Sequence, residues 1–447
     1  MTPLWTSAEL RAATGGALEA DVAVTRVGFD SRQVAPGDLF VALKAARDGH
    51  EFVPAAFAAG AACALVEHGD DPRCLKVSDT LAALTAIGAA ARARSPARFV
   101  AVTGSVGKTT TKEMLRVALA AFGPTHAASA SFNNHIGVPT TLANMPRDIA
   151  YAVNEIGMNN RGEIAPLASL ARPHVAVIST IGTAHLGRLG SEEEIAAEKG
   201  DIVLGLEPGG TAILPADTRF LPDLLARAPR AMTFGEAEGA DIRLLDYVAA
   251  PDAGRARIAT PSGEIALSLS APGRHLAVNA CAVLGAVIAL GLDPAVAARA
   301  LAGFGAGAGR GLRRPIPVPG GTALLMDESY NASSASVQAS LSVLASQPGR
   351  RIAVLGDMLE LGDAGPGIHQ GLADAVARAA DLVYVCGPLM GGMLERLPAD
   401  RQGAAAPDSA SLAPLLRAAL RPGDTVLVKG SLGMRMATII QALDTAP

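Results

Sequence analysis

Lys108 and Thr109 follow Gly107 in the stretch FVAVTGSVGKTTTKEML, residues 99–115, an order of residue types suited to holding a polyphosphate. Phe99 to Thr103 is apolar and β-branched, Gly104, Ser105, Val106 and Gly107 make a short turn, and the residues from Lys108 onward have helical propensity with an apolar phase. A strand that feeds such a turn and then a helix points backbone N–H groups and the positive helix end at an anion. The lysine then reaches the terminal phosphates, and the Thr109 hydroxyl, with Thr110 beside it, is placed to hold Mg²⁺. The spacing is shorter than the general G-x-x-x-x-G-K-[ST] pattern, because Val102 stands five before Gly107. A turn of this kind alone reads equally well as a ligand-free connection. The coincidence of strand, two glycines, Gly-Lys-Thr and helix favours nucleotide binding.

Three further residues could join that loop. Glu155 ends the strand pattern YAVNEIG, His185 lies across a loop from HVAVIST, and Lys199 sits in the helical pattern SEEEIAAEKGDI. Read singly they are a cap, a loop histidine and a solvated helix face. Beside a phosphate loop, a strand-end carboxylate is well placed for Mg²⁺, which takes hard oxygen ligands in octahedral array.

The elements that must position these residues follow from the pattern. Strand-then-helix alternation from about residue 98 predicts a mostly parallel sheet with helices on both faces, and RIATPSGEIALSL adds a hairpin around Pro261 to Gly263. The glycine-rich GAGAGRGLRRP is the best linker in the chain. After it GTALLMDES, RRIAVLGDM, DLVYVCG and DTVLVKGS read as four βα units of a doubly wound sheet, with Asp327, Asp357 and Lys429 at strand ends, where such sheets bind ligands. Before residue 98, VTRVGFDSRQVAPGDLFVAL alternates as strands around the turn APGD in a small α/β unit. The expected organisation is α/β in three domains: 1–97 a small α/β unit, 98–312 a P-loop nucleotide-binding domain with a parallel sheet, and 313–447 a Rossmann-like doubly wound domain.

Length agrees, since 447 residues hold two or three domains at about 150 residues each. Half the chain is hydrophobic, and a net charge of −4 with no basic block argues against nucleic acid. Cys63, Cys74, Cys281 and Cys386 are scattered, which suggests neither zinc nor disulfides and fits buried thiols in a reducing compartment. The N-terminus has acidic Glu9 and no apolar core of a signal peptide. The longest apolar run, Ala277 to Leu292, includes Asn279 and is shorter than the roughly 18 residues of a membrane span. A cytoplasmic monomer is expected.

In order and spacing, GSVGKTTTKEM, SFNNHIGVPTTL, NEIGMNNRGEI, TAHLGRLGSEEEIAAEKGDI, GRHLAVNA, MDESYNA and VLGDMLELG resemble the Mur ligases of bacterial cell-wall synthesis. The resemblance covers nearly the whole chain, and the short phosphate loop is normal in that family. It implies that Lys108 binds the β and γ phosphates of ATP, that Thr109 holds one Mg²⁺, and that Glu155 with His185 holds a second. It implies that Lys199 is carbamylated and serves as a metal ligand. Asn279 and Asp327 match ATP-contacting positions, and Arg310 and Arg313 compete for one phosphate-contacting arginine. Asn133, Asn134 and His135 match a loop that faces substrate. FDSR, with Ser31 and Arg32, together with PGDLFVAL and DGHEF, looks like the uridine nucleotide domain. Asp357 belongs to the segment facing the incoming unit. Glu328, where aspartate or serine is common, and Leu432, where an arginine often follows KGS, depart from the family pattern.

Within the family the chain looks like members that join D-Ala-D-Ala to UDP-N-acetylmuramoyl-tripeptide, because no Asp-Asn-Pro-Arg quartet for a diamino acid is present. The tripeptide-forming Mur ligase and folylpolyglutamate synthase are the rivals within the class. From another class, a P-loop switch or motor fits ALLMDES as a Walker B strand, but that strand lies over 200 residues from the loop and no N-K-x-D motif occurs.

Overall fold

The computed structural model describes residues 3–128, 131–305 and 307–444. Its centre is a nine-stranded sheet. From one edge the strands Thr125–Ala127, Tyr151–Glu155, Arg98–Thr103, Val175–Ile178, Thr211–Pro215, Ala231–Gly235 and Ile242–Ala249 run parallel, and Gly254–Thr260 and Gly263–Leu269 extend it antiparallel. The expected hairpin around Pro261 is present. Ile242–Ala249, which carries it, was not among the expected strands.

Arg98–Thr103 is buried from Phe99 to Thr103, as a central parallel strand covered on both faces requires. One face packs on the helices Lys108–Ala120, Arg274–Ala289 and Pro294–Leu301. The other packs on Thr80–Arg94, Gly137–Ala143 and Ile164–Ala171. The apolar run from Ala277 is thus a buried helix of this layer. The chain leaves Arg98–Thr103 toward Tyr151–Glu155 on one side and Val175–Ile178 on the other, so the strand order reverses at the phosphate loop, where such sheets open a crevice.

The N-terminal unit has four parallel strands, Arg26–Gly28, Asp38–Val41, Cys63–Val66 and Cys74–Lys76. The turn APGD does not close a hairpin: Arg26–Gly28 and Asp38–Val41 pair in parallel, with Ser31–Gln33 as a 3₁₀ turn in the crossover. This unit and the central one share a core through Trp5, Leu84, Ile87 and Leu142, and Trp5 Nε1 donates to the Ala143 carbonyl at 2.8 Å.

The C-terminal sheet is six-stranded, ordered Leu312–Val318, Gly321–Glu328, Thr425–Lys429, Arg351–Gly356, Leu382–Cys386 and Gln402–Ala406, with the first strand antiparallel. Helices cover both faces. Of the linker GAGAGRGLRRP, Ala306 lies outside the described residues, and the part from Leu312 is already the antiparallel edge strand. All four cysteines are free and buried. Among the described residues no helix is long and apolar enough to cross a membrane.

Candidate active site between the central and C-terminal units

Gly104 leaves the central strand at a φ of 149°, and a Cβ there would lie 2.0 Å from Ser179 Oγ, so the loop can pass its neighbour only as glycine. The next strand end then ties the loop down. Ser105 N–H donates to the Thr180 carbonyl at 2.8 Å, Val106 N–H to Thr180 Oγ1 at 2.9 Å, and Ser179 Oγ to the Val106 carbonyl at 2.6 Å. The helix that starts at Lys108 has no side-chain cap on Gly107, so its first N–H groups face the cleft without an intrahelical partner. Lys108 Nζ donates back to the Gly104 carbonyl at 2.7 Å, and burial pushes its pKa down against the pull of Glu155.

Beside the loop, Thr109 Oγ1 donates to Glu155 Oε2 at 2.8 Å and lies 3.2 Å from Ser131 Oγ. Asn133 Nδ2 donates to Glu155 Oε1 at 2.8 Å. Arg310 reaches in from the C-terminal side, donating to Ser131 Oγ at 2.9 Å with its guanidinium 3.9 Å from the centre of the Tyr330 ring. These residues line a cleft of about 500 Å³ between the central and C-terminal units, with Asn279, His185 and Leu361. Among the described residues no three His, Cys, Asp or Glu side chains converge. A hydroxyl and a carboxylate at one point fit Mg²⁺ nonetheless, because that ion usually takes one or two protein ligands and fills its shell with phosphates and water.

His185 is in the left-handed region, φ 69°, with Nδ1 2.8 Å from Glu360 Oε2 of the C-terminal unit. Burial and the neighbouring Lys108 charge hold its pKa well below the imidazole range. Lys199 is fully buried and its Nζ has no hydrogen-bond partner. Burial first, then Lys108, pushes its pKa well down, which favours the neutral, nucleophilic form of the amine. Its neighbour Glu198 instead accepts from Gly162 and Ile164 N–H.

Several expected residues lie outside this cleft. Arg313 donates to the Pro251 carbonyl and does not line it. Asp327 is buried and accepts from Gly309 N–H at 2.8 Å and Ser329 Oγ at 2.6 Å, so it holds the turn that carries Arg310. Asp357 is buried and accepts from Leu389 and Met390 N–H, capping the helix Pro388–Leu394. Asn134 lines the cleft, but its Oδ1 accepts from Ile136 and Gly137 N–H at the start of Gly137–Ala143. His135 is exposed. In the N-terminal unit Arg32 is exposed and paired with Asp30, and neither it nor Ser31 lines the second cavity. That cavity, about 530 Å³, lies between the N-terminal and central units, lined by Phe29, Asp30, Gln33, His126, Phe132 and Asn144.

Three stretches match family descriptions: Mur ligase family, catalytic domain, over residues 23–120; Mur ligase middle domain over 102–287; and Mur ligase, glutamate ligase domain, over 318–432. The UDP-N-acetylmuramoyl-tripeptide–D-alanyl-D-alanine ligase of Synechocystis is 35% identical over 95% of this chain and 93% of its own. The chain belongs to the Mur ligase family. Among solved structures, MurF from Acinetobacter baumannii superposes with a TM-score of 0.87 at 33% identity over 98% of each chain. The MurF ligase of Thermotoga maritima in complex with ADP has a TM-score of 0.81 at 28% identity over 94% of this chain and 97% of its own.

In this Mur ligase the cleft also contains residues that the motifs did not single out. Ser131 joins Thr109 to Arg310, Tyr330 carries the Arg310 guanidinium, and Glu360 meets His185. Ser131, Tyr330 and Glu360 each lie inside a quoted motif, so the signal was present without a partner. Lys429 Nζ donates to the Asn331 carbonyl at 3.0 Å and lies 3.5 Å from Glu328, so the departure at Glu328 places a carboxylate beside a buried cation.

Proposed function

We propose that this chain is the ATP-dependent ligase that adds D-Ala-D-Ala to UDP-N-acetylmuramoyl-tripeptide, releasing ADP and phosphate in peptidoglycan precursor synthesis. The observation that carries the reading is full-length likeness to ligases of that name, in a chain whose phosphate loop and Arg310 face each other across one cleft. A carboxylate resists attack by an amine, so the tripeptide carboxylate oxygen first attacks the γ-phosphorus and ADP leaves. The dipeptide amine then attacks the acyl carbon, the carbon–oxygen bond to phosphate breaks, and the amine loses its proton. Lys108 and Arg310 bring positive charge to both sides of the transferred group, a positioning and electrostatic role.

Thr109 with Glu155 would hold one Mg²⁺ and Glu155 with His185 a second, and the ions would supply charge that offsets repulsion between carboxylate and triphosphate. Lys199 would carry a carbamate in the working enzyme: its Nζ has no partner and burial favours the neutral form, which attacks CO₂ and gives up a proton to leave a hard oxygen ligand. Asn279 contacts ATP beside Gly107. The cavity beside Asp30 and Asn144 takes the uridine nucleotide; Ser31 and Arg32 follow Asp30 in the chain, and the loop of Asn133, Asn134 and His135, part of which lines the phosphate cleft, would meet the peptide end of that substrate. Asp327 and Asp357 serve ATP and the dipeptide indirectly, through the Arg310 turn and the segment before Leu361. Ala335, Ala339 and Leu361 give the C-terminal wall small or apolar side chains that suit two alanine methyls. The domains divide near residues 97 and 312. The chain would act as a monomer, in the cytoplasm, where nucleotide substrates are available.

The test is phosphate release with ATP, the uridine nucleotide tripeptide and D-Ala-D-Ala. Release that depends on all three is expected. Faster release with lysine or diaminopimelate and the dipeptide precursor would reassign the chain within the family.

A further inference from the structure

Glu360 belongs to the segment VLGDMLELG, and its part in the site does not follow from the phosphate loop. It sits on the C-terminal unit at a φ of 68°, opposite His185 of the central unit at 69°. Its carboxylate makes two contacts across the boundary: Oε2 lies 2.8 Å from His185 Nδ1, and Oε1 lies 3.8 Å from Arg188 Nη2. Its backbone makes a third, since Gly187 N–H donates to the Glu360 carbonyl at 2.9 Å. The two chains cross so closely that a Cβ on Gly187 would lie 2.7 Å from Gly362 N and 2.9 Å from the Glu360 carbonyl oxygen. The crossing therefore fixes the place of Glu360 by backbone, before any side chain acts.

We propose that Glu360 is a positioning residue for the ligation reaction: it orients His185 and thereby makes completion of the cleft depend on the C-terminal unit being seated. The inference rests on the function proposed above. The Glu360 charge 2.8 Å from Nδ1, a contact without hydrogen-bond alignment, favours a proton on that nitrogen and leaves Nε2 with the lone pair. Two left-handed residues in contact also restrict the ring to few orientations, because each holds its side chain at an angle that ordinary helix or strand backbone does not give. When the C-terminal unit moves away, His185 loses both the carboxylate and the backbone contact that brace its turn. The cleft then has its phosphate loop but an unoriented histidine.

The test uses the full chain and Mn²⁺ as probe, titrated with a non-hydrolysable ATP analogue and no acceptor. Glu360→Gln, which keeps size and removes charge, should weaken Mn²⁺ binding about tenfold, and Glu360→Asp should recover part of it. His185→Asn with Glu360→Gln should bind no more weakly than His185→Asn alone, because the two residues act as a unit. Gly187→Ala keeps both side chains but crowds the crossing, and should weaken Mn²⁺ similarly while enlarging the radius measured by small-angle scattering. Unchanged Mn²⁺ affinity in Glu360→Gln, additive losses in the double variant, or an unaltered Gly187→Ala would each overturn the proposal. Because no acceptor is used, a parent chain that binds Mn²⁺ as expected but forms no D-Ala-D-Ala product would defeat the functional reading and leave this one standing.

Discussion

Lys108 lines the cleft and Lys199 is buried behind it, near enough for the two charges to interact, and the two lysines acquire different chemistry. Lys199 Nζ is enclosed without a partner, and desolvation favours the neutral amine, the form that captures CO₂. Mass spectrometry or ¹³C spectroscopy in bicarbonate should detect a carbamate that Lys199→Ala lacks, and a short added carboxylic acid should restore part of that variant's activity. Acid removes the carbamate by protonating its nitrogen, so activity lost on mild acidification should return when pH and bicarbonate are both restored. Lys108, whose pKa burial also lowers, instead has a partner in the Gly104 carbonyl and lines the cleft. Its replacement by alanine should lower kcat by about 10³-fold, the scale of losing one charged contact to a developing transition state, while the melting temperature changes little.

At the scale of elements, the carboxylates at strand ends divide into those that face the cleft and those that build it. Asp357 accepts two N–H groups at the start of Pro388–Leu394, and Asp327 holds the turn before Arg310. Asp357→Ala leaves buried donors unpaired and should cost about 1–3 kcal/mol per group, read as a lower urea midpoint. Asp327→Ala should raise the KM for ATP because it frees the Arg310 turn, whereas Arg313→Ala, outside the cleft, should leave that KM unchanged. Equal effects in steady-state kinetics would mean that Arg310 does not serve phosphate alone.

For the whole molecule, Asn144 joins Trp5 and the shared core in seating the N-terminal unit on the central one. Asn144 Oδ1 accepts from Val27 N–H at 2.8 Å and its Nδ2 donates to the Val27 carbonyl at 2.7 Å, so the amide acts as an extra strand residue along Arg26–Gly28. Val27 and Asn144 both line the second cavity. Asn144→Ala should therefore destabilise the chain by about 1–3 kcal/mol for each backbone group left unpaired, and raise the KM for the uridine nucleotide without altering that for ATP. Kinetics with each substrate varied in turn, beside a thermal melt, separate the two effects.

The succession of strand, loop and helix around Lys108 was determined by sequence, because glycine placement and apolar periodicity act within a few residues. The same holds for the three α/β units, the hairpin at Pro261, and the cleft residues Thr109, Glu155 and Asn279, whose neighbours in the chain already carry the motif. Tertiary structure decided what depends on partners far along the chain. Alternation in VTRVGFDSRQVAPGDLFVAL marks strands but not their direction, and only the crossover made them parallel. Arg310 precedes the edge strand and faces Tyr330, while Arg313 lies within it and turns to Pro251; no local pattern separates two arginines three residues apart. SEEEIAAEKG reads as a solvated helix, yet Lys199 is buried, because exposure is set by what packs against a residue and not by its own charge.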